Sequence, residues 1–502
     1  MFSPPRFALR LALLSLSGAG CAPGIATSNA VSDTAAPDTA LAPEDTACGA
    51  DPEIADFVDC DGDGSKAAYD CDDHDANRFP SAPDPCGSSD DDCDPATCLA
   101  AVLAVAIPWV EYGLSGPAVT FGPDFSGDGQ GELLLADAGY ATYAYNYSNW
   151  CESGGAWVLP GGLVSERPVW VDAVAPYHFA GSGCLGSRVL LPGDVDGGGL
   201  PDVLLVDRGG YSPSYWWDGR IVVVAGEAIA VGGEASTGLA DIELEYGLAV
   251  EAAGDLDGDG STDSLITGNG LGWAALGVPE LRAGLGSLNE LAYHASEASK
   301  VRSLGDLDGD GLGELAGFNY VSEGGWSTFT DVVVSTPALS DDPWLRLVPA
   351  EGEAVTVVSS VDIDGSGFER LAIGSGSTDE PWALLDVSVT AGDVSIASAS
   401  TLVYPPPGAS LGALRDIGEA RAVVMIEGPE ILESGILALA TQDLRAGVVQ
   451  LGEAPTCLRF GSRGYLTTVG TWNGTDVAAV SALGWAALLD PIGVAEAGCP
   501  PP

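Results

Sequence analysis

Five segments of this chain repeat one short grammar, and a repeat of this size constrains the fold more than any single residue does. They are GPDFSGDGQGELLLAD from Gly122, PGDVDGGGLPDVLLVD from Pro192, AGDLDGDGSTDSLITG from Ala253, LGDLDGDGLGELAGF from Leu304 and SVDIDGSGFERLAIGS from Ser360. Their first aspartates are Asp124, Asp194, Asp255, Asp306 and Asp362, spaced from 51 residues (255 to 306) to 70 residues (124 to 194). Two degenerate copies, LRDIGEARAVVMIEG with Asp416 and TWNGTDVAAVSALG with Asn473, continue the series to seven units. In each unit one apolar run enters the Asp-rich loop, a second leaves it, and another follows 20 to 40 residues later. Such runs, bounded by turn residues, read as short strands, about four to a unit. One unit cannot bury its own faces and no helical pattern separates the copies, so the units are expected to stack radially as blades. The expected fold class is all-β, a seven-bladed β-propeller over residues 99–502. With 69 Gly, 33 Pro and 7% aromatics, the composition suits many tight turns between short strands.

The loop carries its own chemistry. Oxygens at positions 1, 3 and 5 turn inward, Gly at 6 supplies a positive φ, the carbonyl at 7 adds a ligand, and an acid at 9 closes the shell from the next strand. By that rule Asp255, Asp257, Asp259 and Asp263 form a complete site, as do Asp306, Asp308, Asp310 and Glu314. Asp124, Ser126, Asp128 and Glu132 form a nearly complete one, whereas Asp194, Asp196 and Asp202 lack a fifth-position ligand because Gly198 stands there. At Asp362 the closing acid is replaced by Arg370, a cation expected to pair with Asp362 or Asp364 in place of an ion. Position 12 is Leu135, Leu205, Ile266 or Gly317, so these are not EF-hand loops. All-oxygen sites on flexible loops select Ca²⁺ over Mg²⁺. The units resemble FG-GAP repeats, which build the seven-bladed propeller of integrin alpha subunits and occur in many bacterial surface proteins. That resemblance spans about 80% of the chain and implies a calcium-binding adhesion module.

Charge narrows the partners. With 18 Lys+Arg against 72 Asp+Glu the formal net charge is −54, so nothing here neutralises phosphates and nucleic acid is an unexpected partner. The start of the chain reads as an export signal: Arg6 and Arg10, an apolar run Leu11 to Leu16, then Ser17-Gly18-Ala19-Gly20-Cys21. This resembles a bacterial lipoprotein signal over residues 1–20, which implies lipidation of Cys21. Residues 21–47, without aromatics or bases, are expected to remain a flexible linker. Membrane contact is then expected only through the lipid, with the protein secreted across the inner membrane and anchored at the outer membrane or cell surface. Eleven cysteines less Cys21 leave ten, an even number suited to disulfides in an oxidising compartment. Cys151 with Cys184 and Cys457 with Cys499 are the expected outer pairs, each being nearest in sequence.

The other six cysteines, Cys48, Cys60, Cys71, Cys86, Cys93 and Cys98, fall in residues 48–98, a stretch with too few large apolar residues for its own core. Disulfides and metal are expected to staple it. Asp59, Asp61, Asp63, Gly64 and Asp70 keep the spacing that wraps oxygens around Ca²⁺. Further acids follow at Asp72, Asp73, Asp75 and Asp90 to Asp94, and carboxylates so close repel unless a cation sits among them. The run DCDGDG…DCDDHDANRFPSAPDPC…DDDCD resembles the MopE-like metal-binding repeat of bacterial surface proteins.

Two aromatic clusters, YATYAYNYSNW from Tyr140 to Trp150 and Tyr211 with Tyr215-Trp216-Trp217, offer either rings for sugars and interfaces or packing at blade insertions. Of the three histidines, His74, His178 and His294, the last two have no neighbouring acid, Cys or Ser arrangement, and no G-x-S-x-G or phosphate-cradling loop exists. The expectation is therefore a monomeric, non-enzymatic, lipid-anchored surface protein with Ca²⁺ as its structural ion, binding a protein or glycan. A propeller enzyme acting on polysaccharide and a structural envelope protein are the alternatives.

Overall fold

The computed structural model describes residues 99–499 with interruptions, the longest at 277–299. The signal, Cys21, the linker and the 48–98 segment with Asp59, Asp61, Asp63 and Asp70 lie outside the described residues, as do Cys184, Asp257, Asp259, Asp308 and the loop 362–369.

The described chain is all-β. It forms eight open sheets of three to five strands, and the described helices are short: Val171–Val174, Gly226–Val231 and Pro491–Ala497. Each repeat begins a sheet, with one strand entering the Asp loop and the next leaving it antiparallel. Thus Ala118–Phe121 pairs with Leu133–Asp137, Leu185–Gly193 with Asp202–Asp207, Ala249–Gly254 with Asp263–Thr267, and Lys300–Gly305 with Glu314–Glu323. Val357–Val361 pairs likewise with Arg370–Gly374. The degenerate copies keep the hairpin and lose the loop. Asp416 sits inside strand Ser410–Gly418 opposite Ala422, and Asn473 and Gly474, at φ 52° and 78°, turn Tyr465–Trp472 directly into Thr475–Ala482. Two successive positive φ values are the backbone of a type I′ hairpin, for which Asn-Gly is the preferred pair.

The entering strands lie side by side in chain order, each next to that of the following unit, and Tyr465–Trp472 of the last unit lies beside Ala118–Phe121 of the first. The succession is propeller-like. It explains why the leaving strands are apolar on both faces: each sheet is covered by a neighbour on either side. Leu133 and Leu135 pack with Leu103, Trp472, Val477 and Ala479 of the last unit. Leu134 and Ala136, on the opposite face, pack with Val189, Val203 and Leu205 of the second. The period of two along a strand thus shares one run between two cores. Full burial of each such Leu contributes roughly 1.5–3 kcal/mol.

Two features were not expected from the repeats. First, several sheets gain a fifth, parallel strand from a neighbouring unit: Gly233–Ala235 joins Tyr177–Ala180, Gly392–Ser395 joins Leu345–Val348, and Val448–Gln450 joins Thr401–Tyr404. Each covers an outer edge whose amides would otherwise be open to another chain. Second, the last sheet takes its fourth strand from the other end of the described chain. Ala101–Ala106 pairs antiparallel with Trp485–Leu489, and Val169–Trp170 of the first unit is added beside it. The Trp472 indole N–H donates to Leu163 O at 3.0 Å across the same junction.

Candidate metal centre

The Asp loops are built alike. In the first, Asp124 Oδ1 accepts from Gly127 N–H at 2.6 Å and Asp128 N–H at 3.0 Å, and Oδ2 accepts from Gly129 N–H at 2.8 Å. The first acid of the second loop, Asp194, takes Gly197 N–H at 2.6 Å and Gly199 N–H at 3.0 Å. Asp255 takes Gly258 at 2.6 Å and Gly260 at 2.8 Å, and Asp306 takes Gly311 at 2.9 Å. The chain curls round this carboxylate because the glycines at the sixth position, Gly129, Gly199, Gly260 and Gly311, have φ between 85° and 105°, a region that costs other residues strain.

The ninth-position acid lies under the loop. Glu132, Asp202, Asp263 and Glu314 are all buried, and each accepts the N–H of the second loop residue: Phe125 at 2.7 Å, Val195 at 2.8 Å, Leu256 at 2.7 Å and Leu307 at 2.5 Å. Those second residues are themselves buried. They anchor the loop to the core, a role the sequence reading missed although an apolar residue follows the first acid in all five full loops.

The second loop, expected to be the incomplete one, brings Asp194, Asp196 and Asp202 together with one carboxylate oxygen of each within 4.8 Å of the others. Three hard oxygens at that separation form a group that can hold a metal ion. Asp202 is fully buried; Oδ2 accepts from Val195 and Asp196 and Oδ1 from Gly226 at 2.9 Å. Burial pushes its carboxyl above the ordinary 3.8, the amides pull it back, and the Asp196 charge raises it further. Asp124 goes the other way: its amide donors, Gly129 first, lower it. The signs follow. Stability from Asp124 is present above pH 3.8 and is lost as pH falls through its lowered folded value. The penalty on charged Asp202 is instead relieved as pH falls through its raised value.

In the first loop Asp124, Ser126, Asp128 and Glu132 are all described, with Ser126 Oγ donating to Asp124 Oδ1 at 3.4 Å. In the third and fourth loops the described acids are Asp255, Asp263, Asp306, Asp310 and Glu314, at the first, fifth and ninth positions, and among the described residues the three acids that converge are those of the second loop. Arg370 begins its strand half-buried.

The two aromatic clusters meet. Hairpin Tyr140–Tyr143/Ser148–Cys151 of the first unit and hairpin Gly210–Ser212/Tyr215–Trp217 of the second form one four-stranded sheet, joined where Tyr211 pairs with Asn149. His178 stacks on Trp157 with centroids 5.1 Å apart, and the Trp157 indole N–H donates to Asp172 at 2.7 Å, which gives that histidine a packing role. Cys457 and Cys499 form the expected disulfide.

Comparison with known protein families and with curated proteins finds no match. Among solved structures, the chain is similar to the crystal structure of BBS1N in complex with ARL6DN, soaked with lead. The identity is 10%, over 78% of this chain and 98% of that one, at a TM-score of 0.41. The mercury-soaked form of the same complex gives 10% and 0.40. Bacillus licheniformis rhamnogalacturonan lyase PL11 gives 12% and 0.24, with 77% of this chain covering 56% of that one. The fold assignment rests on the strand pairing described above.

Proposed function

We propose that this chain is an exported, lipid-anchored, calcium-binding surface protein whose seven-bladed propeller of FG-GAP type presents a binding surface for a glycan or protein. Seven of the eight sheets begin with a repeat, and the eighth is the accessory sheet of the two aromatic hairpins. The Asp loops, all between first and second strands, hold Ca²⁺ as a structural ion, and the segment 48–98, of MopE-like type, holds more on Asp59, Asp61, Asp63 and Asp70. The observation that carries the binding reading is the accessory sheet. It gathers Tyr140, Tyr143, Trp150, Tyr211, Tyr215, Trp216 and Trp217 from two units into 14 strand residues that contain no charged side chain. In a chain of net charge −54 that is a neutral, ring-rich island suited to an uncharged glycan.

A screen of the calcium-loaded protein against neutral glycans is expected to give binding that is lost when Trp150 and Trp217 are both replaced by Ala. Binding unaffected by the pair would move the surface elsewhere. Anchoring has its own check: Cys21→Ser is expected to shift the protein from the membrane fraction to the soluble one, and an unaltered protein already soluble would refute the lipid anchor.

A further inference from the structure

The amide at the seventh loop position shows what the fifth-position acid does. Gln130 N–H donates to Asp128 Oδ1 at 2.8 Å, and Leu312 N–H donates to Asp310 Oδ1 at 2.8 Å. In the second loop the fifth residue is Gly198, which has nothing to accept with. There Leu200 N–H donates instead to Glu227 Oε1 at 3.2 Å. Glu227 is the second residue of helix Gly226–Val231, which follows the third strand of the same sheet, Gly219–Val224.

Its carboxylate stands where the missing side chain would begin. A Cβ placed on Gly198 would lie 2.2 Å from Glu227 Oε1, 2.4 Å from Cδ and 2.5 Å from Oε2. The backbone does not require glycine here. Gly197 and Gly199 on either side have φ of 83° and 105°, whereas Gly198 is outside that region. What excludes a side chain at 198 is the carboxylate itself. The helix is held for this purpose from below: Gly226 N–H donates to Asp202 Oδ1 at 2.9 Å, and a Cβ on Gly226 would meet Pro201 O at 2.4 Å. The ninth-position acid thus fastens the helix start against the loop, and the next residue delivers the acid.

We propose that Glu227 is the fifth-position acid of the second loop, supplied from outside it, and that Gly198 and Glu227 are a complementary pair. The pairing stands on geometry alone: Glu227 supplies the acceptor for the seventh-position amide, while the carboxylates that converge in this loop are those of Asp194, Asp196 and Asp202.

The test is a set of melting curves on the full chain, each in chelator and in millimolar CaCl₂. Glu227→Ala leaves the Leu200 amide without its acceptor and is expected to lower the midpoint in chelator. Gly198→Asp drives a side chain into the Glu227 carboxylate and is expected to lower it too. The double variant G198D/E227A restores the arrangement seen at Asp128 and Asp310, so it is expected to recover most of both losses. A double variant whose loss is the sum of the single losses overturns the pairing. If Gly198→Asp does not fold, recovery of a folded double variant still demonstrates it. Glu227→Gln keeps an oxygen for Leu200 and is expected to match the parent in chelator; a midpoint as low as that of Glu227→Ala overturns the acceptor role. A parent that binds no calcium overturns the calcium reading, and the chelator curves alone then decide the pairing.

Discussion

Removing divalent cations is expected to lower the melting temperature of this protein by more than any single substitution would. A ligand that binds only the folded state contributes roughly 2.7 kcal/mol per site at a hundredfold excess over its Kd, so three filled loops contribute about 8 kcal/mol together. The loss on chelation has a second component. Acids held as close as Asp194, Asp196 and Asp202 repel when no cation is present. Mg²⁺ is expected to restore the midpoint poorly, because its octahedral demand and tightly held waters do not suit a flexible all-oxygen loop. Asp308→Ala, in a loop complete in sequence, is expected to forfeit more of the calcium increment than Asp364→Ala, in a loop whose closing acid is replaced in sequence by Arg370. Scanning calorimetry with chelator and with millimolar Ca²⁺ decides the matter, and superimposable curves would reduce the loops to ordinary turns.

The second large effect belongs to the disulfide. Cys457 and Cys499 are 42 residues apart, and closing a loop of that length in the unfolded chain is worth about 4 kcal/mol in the chain-entropy account. The bond also ties down the final helix, Pro491–Ala497. Pro491 and Val494 of that helix are buried, and its first turn is capped by Asp490 Oδ1, which accepts from Gly493 N–H at 2.7 Å. Replacing both cysteines with Ser is expected to lower the midpoint and to open the chain after Leu489 to limited proteolysis. Identical melting of the parent with and without reductant would show that the helix holds by packing alone.

The sequence made the strands and the loop acids legible because both are local. A run such as LLLAD leaving an Asp-Gly turn carries its own period and its own punctuation, and the disulfide between Cys457 and Cys499 followed from proximity. Glu227 was not legible, because the vacancy at Gly198 is filled by a residue two strands further on and neither position marks the other. The parallel additions were hidden for a related reason: three residues such as Gly233–Ala235 have no periodicity to read, and they become strand only because an edge lies beside them. The two aromatic runs were seen separately, and only the pairing of Tyr211 with Asn149 made them one sheet.

The placement of Ala101–Ala106 in the last sheet sets the order of events when the chain folds. Its partner, Trp485–Leu489, is the last described strand of the chain, so the earliest described strand waits for the latest. Contacts so distant in sequence are slow to form, and until they do Leu103 and Val105, fully buried in the finished sheet, remain in search of cover. Refolding from denaturant should therefore show a late phase that reports on Trp485.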